Sequence, residues 1–308
     1  MSNLVLVAVA GFFASMVDGA LGMGFGPTSS SILLSSGISP AAVSTTVNLA
    51  KVATGLAAGV SHWRFDNIDR RLVVKLAWPG AIGAMIGTTI LANVDGDDLR
   101  PILALLLMAV GLRILFRFSQ ALPEANHGAE APVPGKAPAF DQRGVKAAAM
   151  TGGVTNGLVG AWGPVLTPFL LQRGLPPRYS VGSVNTAEVA VAVVSAGSLV
   201  SSLGGEGLEV GVLLAMLGGG VIAAPLAAYV VRFMPPRVLG LAVSGLLLLT
   251  QTREIAHSFD LPGSRWIAYL GIPVLIGLAL ARPRVTRRIH RARSARQAPI
   301  GARRRNSA

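Results

Sequence analysis

Apolar residues run along the chain in long blocks separated by short polar breaks. The blocks cover roughly 4–34, 41–61, 73–92, 100–117, 145–171, 181–202, 209–231, 237–252 and 265–281. A helix needs roughly 17–25 mainly apolar residues to cross a bilayer, so the pattern predicts an all-α, polytopic membrane protein. Residues 118–144 are the exception: they are polar and punctuated by Pro123, Gly128, Pro132, Pro134, Gly135 and Pro138. Such a stretch predicts a flexible linker between two halves.

Composition sharpens this picture. Of 308 residues 52% are apolar and only 13% charged, with a mean hydropathy of +0.59. That is too little charge to cover a soluble surface. The net charge of +13 is concentrated, because residues 282–308 hold ten arginines and no acidic residue, which leaves about +3 for the remainder. A basic tail directly after an apolar helix points to the cytoplasmic face and to anionic lipid head groups, not to nucleic acid. The chain has no cysteine, which excludes disulfides and thiolate metal sites, and its four histidines lack metal-ligand spacing. Neither a metal nor a cofactor is expected. The apolar N-terminus lacks a basic leader and runs into a glycine-rich stretch, so it is expected to belong to the mature protein.

The two halves repeat. The run DGALGMGFGP at 18–27 matches NGLVGAWGP at 156–164 with a one-residue gap. Beyond the gap an offset of 137 pairs Gly37 with Gly174, Pro40 with Pro177, Asn48 with Asn185 and Val52 with Val189. Further on, GAIGA at 80–84 corresponds to GVIAA at 220–224 at an offset of 140.

Charge placement then suggests a topology. The Arg-rich tail, the 172–180 connection (Arg173, Arg178) and the 62–72 connection (Arg64, Arg70, Arg71) belong inside, and the 93–99 connection (Asp95, Asp97, Asp98) outside. The linker, flanked by Arg113, Arg117, Arg143 and Lys146, is also inside. Segment 145–171 must then enter and leave on one side, and 4–34 should do so from the other. Each becomes a re-entrant pair of short helices with its Gly-Pro motif at the tip, the inverted-repeat plan of secondary transporters. The expected organisation is a first transmembrane repeat at 1–118, a cytoplasmic linker at 119–144 and a second repeat at 145–255. An extra C-terminal helix at 256–282 and a cytoplasmic tail at 283–308 complete it. Nothing in the sequence sets an oligomeric state.

The broken motifs carry the candidate chemistry. Non-helical backbone at membrane depth must be buried or line a wet cavity. Pro27 and Pro164 suit the first turn of a half-helix, whose free N–H groups and positive dipole end could hold an anion. Gly24, Gly26, Pro27, Thr28 and Ser29 in one half, and Trp162, Gly163 and Pro164 in the other, are therefore candidate substrate contacts. Packing through small residues is the structural alternative. Asn48 and Lys51, and at the repeated positions Asn185 and Glu188, sit three apart and share helix faces. Ionisable groups at mid-span face a cavity or a partner. Either Lys51 attracts an anion while Glu188 exchanges a proton, or the two form a structural ion pair. Asn48 and Asn185 contact substrate or join helices. Asp18 braces the broken helix or binds a coupling cation. Trp63, Trp78 and Trp266 read as interfacial anchors, His62 likewise, and Asp95, Asp97 and Asp98 as a solvated loop. No G-x-S-x-G, H-E-x-x-H or phosphate-binding loop occurs, so an enzyme is not expected.

These motifs resemble the TauE/SafE family of sulfite exporters. DGALGMGFGP at 18–27, NLAKVATG at 48–55, SHW at 61–63 and PGAIGAMIG at 79–87 carry the resemblance in the first half, and GAWGP at 160–164 with SVNTAE at 183–188 in the second. It covers about residues 4–250. The resemblance implies an inner-membrane carrier of sulfite or an organosulfonate, with proton coupling as one expected mode. The last helix and the tail lie beyond it. Two other functions stay open: a carrier of a divalent cation or other solute using Asp18 and Glu188, and a non-transporting subunit or sensor.

Overall fold

A computed structural model describes residues 4–21, 23–120, 139–203, 210–230, 236–259 and 270–280. Most of the linker, Trp266 and the Arg-rich tail lie outside the described residues. Those described are helical, in the order α1 (Leu4–Leu21), α2 (Phe25–Ser35), α3 (Pro40–Arg64), α4 (Arg70–Asn93) and α5 (Gly96–Ser119), then α6 (Val145–Val159), α7 (Gly163–Gln172), α8 (Pro177–Leu203), α9 (Val210–Val230) and α10 (Pro236–Ser258). A further apolar helix, α11, spans Leu270–Leu280.

The helices outrun the apolar blocks because polar residues cap them. Asp69 accepts from the N–H groups of Arg71 and Leu72 at the start of α4, at 3.0 and 3.2 Å. Asp95 does the same for Asp97 at the start of α5, at 2.9 Å. Asp97 and Asp98 then sit in the first turn, where their charge complements the helix dipole. The aspartate cluster is thus a helix start.

Three helices, Arg70–Asn93, Gly96–Ser119 and Arg178–Ser202, are long and apolar enough to cross a membrane by length and composition. Large apolar side chains point outward along several helices, among them Phe13, Val74, Ile82, Leu105 and Val221. A surface of this kind suits lipid and not water. Trp63 near the end of α3 is exposed, and Trp78 is 72% exposed two turns into α4.

Segments 4–34 and 145–171 are each two helices, as the Gly-Pro motifs predict. α6 stops where Gly160 adopts a left-handed conformation, φ +67°. The N–H groups of Gly160 and Ala161 donate back to Asn156 and Thr155, so the helix end leaves these carbonyls satisfied.

Packing crosses between the halves. α6 lies along α4 and α1 along α9, while α5 pairs with α10 and α3 with α8. Exchanging the halves converts the first pair into the second and each of the others into itself. Glycines make the long contacts possible. A Cβ on Gly153 would lie 2.0 Å from the Gly80 carbonyl oxygen, and one on Gly219 would lie 1.9 Å from that of Ala8. Backbones at such distance associate by van der Waals contact, the force available between helices in lipid.

The molecule has two polar ends. At one, Leu34, Gly37, Asp97, Arg100, Glu254 and His257 share a pocket, so the α2–α3 and α4–α5 connections meet the end of α10. At the other, the Asp69 N–H donates to Ser183 at 2.9 Å and Gly182 packs on Asn67, so the α3–α4 connection meets the start of α8. Arg173, after α7, ion-pairs with Asp141 ahead of α6. Asp141 also accepts from the Arg143 N–H, and that bond first, then Arg173, holds its carboxyl below the ordinary carboxylate value.

Candidate functional site

The two chain breaks meet at the centre of the bundle. A Cβ on Gly26 would stand 1.8 Å from the carbonyl oxygen of Gly160 and 2.9 Å from Lys51 Nζ. Only glycine allows this approach. A cavity opens beside the contact, lined by Asp18, Met23, Phe25, Gly26 and Pro27 from the first break and by Gly160, Gly163 and Pro164 from the second. Lys51, Thr54, Gly55 and Ala58 of α3, with Asn185 and Glu188 of α8, complete it. The space at its centre takes only a water-sized guest or two.

Lys51 and Glu188, predicted as counterparts of opposite sign, form an ion pair here. Their side chains are only 5% and 16% exposed, so the charges are largely removed from water. Lys51 has three hydrogens and three acceptors: Glu188 Oε1, the Gly160 carbonyl and Asn156 Oδ1, the last at 3.0 Å. An anion can reach this ammonium only by displacing one of them.

Asn156 is the hub of the polar network around the pair. Its amide nitrogen donates to Asn48 Oδ1 at 2.7 Å and to Ser195 at 3.1 Å, while its oxygen accepts from Lys51. Asn48 in turn donates to the Ser44 carbonyl at 2.9 Å, and Ser44 donates to the Gly157 carbonyl at 2.6 Å. These side chains are fully buried and close the site on the side of Lys51 toward the start of α3. The cavity lies on the opposite side. There Thr54, Gly55 and Ala58 follow Lys51, and Asn185 precedes Glu188.

The two tips are unlike. Asp18 Oδ1 accepts from the N–H groups of Gly24 and Phe25, at 3.0 and 3.3 Å, so the start of α2 is capped by a carboxylate from α1. Two of the amides predicted to face a guest are therefore taken. α7 has no side-chain cap, and Gly163 and Pro164 at its start border the cavity. The expectation of two equivalent open N-termini gives way to one capped and one open, because Asp18 Oδ1 accepts from the α2 amides whereas the side-chain oxygen of its counterpart Asn156 accepts from Lys51. Asp18→Ala is expected to destabilise the fold by about 1–3 kcal/mol by orphaning two amides, and Asp18→Asn by less than half of that. Thermal unfolding of the two variants checks this ordering.

Of the sequence candidates, Asp18, Gly26, Pro27, Lys51, Gly163, Pro164, Asn185 and Glu188 line the cavity. Gly24, Thr28, Ser29, Asn48 and Trp162 do not. Gly24 serves the Asp18 cap and Asn48 the buried network. Trp162 is fully buried against Gly80 and Gly152 and donates to the Val184 carbonyl at 3.0 Å, so it is a core side chain. Phe25, its counterpart, borders the cavity. Sequence reasoning missed Gly160 and the central role of Asn156. Both lie within the repeated motif, and Asn156 occupies the mirror position of Asp18. Among the described residues, no cluster of His, Cys, Asp or Glu could hold a metal ion. The Asn185 side chain makes no hydrogen bond among the described residues and stays available to a guest.

Broken helices meeting around a buried charge pair, inside a sheath of apolar helices, define a membrane transporter. The chain matches the sulfite exporter TauE/SafE family over residues 7–253. It is 39% identical over 287 residues to a protein of Bacillus subtilis (strain 168) named "Probable membrane transporter protein YtnM", a match covering 91% of this chain and 89% of that one. No solved structure matches. The chain belongs to the TauE/SafE family.

Proposed function

We propose that the protein is a secondary transporter that carries sulfite or a small organosulfonate across the cell membrane in exchange for, or together with, a proton. The carrying observation is the Lys51–Glu188 pair set between the two chain breaks, beside the uncapped start of α7. A compact oxyanion would take the place of Glu188 on Lys51, accept from the Asn185 amide and lie at the positive end of α7. With Asp18 and Glu188 both ionised, Lys51 leaves the cavity with a net charge of −1. A proton on Glu188 removes that repulsion and frees Lys51, which couples anion binding to proton uptake. The cavity is narrower than such an anion, so loading requires the two tips to part.

Alternating access follows if the halves are inverted in the membrane, with α1–α2 entering from one face and α6–α7 from the other. The crossed packing of the halves supports this plan, and the Arg-rich tail favours a cytoplasmic C-terminus. A second reading, a cation carrier, is favoured by one observation: two carboxylates border the cavity. Thermal unfolding of the purified protein with sulfite, sulfoacetate, taurine, sulfate and thiosulfate tests the choice. A ligand at a hundred times its Kd stabilises by about 2.7 kcal/mol. Stabilisation by a sulfur oxyanion, lost in Asn185→Ala, supports the anion site. Indifference to all five, with stabilisation by a divalent cation, reverses it.

A further inference from the structure

The central cavity is sealed toward one end of the molecule, yet a transporter must open to both. The side that is closed contains a seam of polar side chains between α2 and α10. Gln251 Nε2 donates to Ser31 at 2.7 Å, and Ser31 shares a hydrogen bond with Thr250. Ser31 and Gln251 are buried, at 0% and 1% exposure. Two further buried atoms have no partner among the described residues: Gln251 Oε1, and Oγ1 of Thr28, which lies three residues from Ser31 on the same helix. A buried polar atom without a partner is costly, and water or a polar guest satisfies it.

The seam joins two places. At its inner end Thr28 follows Gly26 and Pro27, which line the central cavity. At its outer end Ser35 of α2 and Arg253 and Glu254 of α10 line the polar pocket at the end of the molecule. Thr28, Ser31 and Ser35 fall on one stripe of α2, and on α10 Glu254 follows Thr250 by four residues and Gln251 by three, so it neighbours both. The fold does not demand this polarity. At the offset of 140, α5 carries Val110, Gly111 and Ile114 where α10 has Thr250, Gln251 and Glu254.

We propose that the α2–α10 seam is the passage by which water and the small anion move between the central site and the Arg253–Glu254 pocket. It rests on the transporter reading above. The hydroxyls and the Gln251 amide hold a hydrated path closed by hydrogen-bonding to one another, and exchange those bonds for bonds to the guest when α2 and α10 separate.

The absence of native cysteine makes the test direct. Ser31→Cys, Gln251→Cys and Leu103→Cys are made singly in the full chain, reconstituted in liposomes and treated with 2-sulfonatoethyl methanethiosulfonate, a small anionic thiol reagent. Leu103 is a fully buried apolar control on α5. The two seam thiols are expected to react at least about tenfold faster than the control, since reactivity follows access and thiolate fraction. Equal rates overturn the passage. In parallel, Ser31→Ala/Gln251→Leu is expected to lower sulfite flux at least about tenfold without lowering the unfolding temperature, because apolar replacement of both partners is close to neutral for stability. Lower stability with unchanged flux would make the seam purely structural and overturn the proposal. Reactive seam thiols in a protein that moves no sulfur oxyanion would keep the passage and refute the anion reading.

Discussion

Lys51→Met is expected to destabilise the protein by about 3–5 kcal/mol, because it leaves Glu188 buried without its partner. Adding Glu188→Leu to it should restore wild-type stability or exceed it, since an apolar pair of similar volume replaces two desolvated charges. Neither variant should transport. The single and double variants together separate the structural and functional roles of the pair. Thermal unfolding in detergent reads the first role and proteoliposome flux the second. Glu188→Gln retains an acceptor for Lys51, so it should fold and bind the anion but lose the dependence of flux on a pH gradient. A Lys51→Met/Glu188→Leu protein that still moves sulfite would show that the pair only holds α3 to α8.

Gly26→Ala is the second large effect expected. The added methyl falls 1.8 Å from the Gly160 carbonyl, which is backbone and cannot rotate away. The α2 tip must shift against the α6–α7 tip. Overpacking of this kind costs about 1–3 kcal/mol. Displacing a site by about 1 Å can cost a hundredfold in rate, and the same contact positions Lys51. Gly197→Ala supplies the comparison, because a Cβ there meets nothing within 4 Å. That variant should keep full flux and gain up to about 1 kcal/mol from helix propensity. A Gly26→Ala protein with normal unfolding temperature and normal flux would mean that the tips do not meet as described.

Much of the fold was legible in the sequence. Hydropathy located the helices, and glycine and proline located both breaks, since neither residue continues a helix well. The three-residue spacing placed Asn48 beside Lys51 and Asn185 beside Glu188. Spacing did not show that the two asparagines diverge. Asn48 is consumed by Asn156, 108 residues away, whereas Asn185 lines the cavity with no side-chain partner among the described residues. Trp162 stood in the tip motif, yet its ring turns into the core because Gly80 and Gly152 leave room there. Asp18 could brace a helix or hold a cation from its position alone; the amides of Gly24 and Phe25 decide what it touches.

The sequence by itself determined that this chain lives in a membrane, where its helices break, and which residue types repeat between the halves. These depend on side-chain hydropathy and local backbone preference, which act within one or two helical turns. Only the tertiary structure decided that Lys51 meets Glu188, that one tip helix is capped and the other open, and that Ser31 meets Gln251 across 220 residues. Such contacts depend on how close two backbones come. That is set by glycines on helices far apart in the chain and by the need of every buried polar group for a partner.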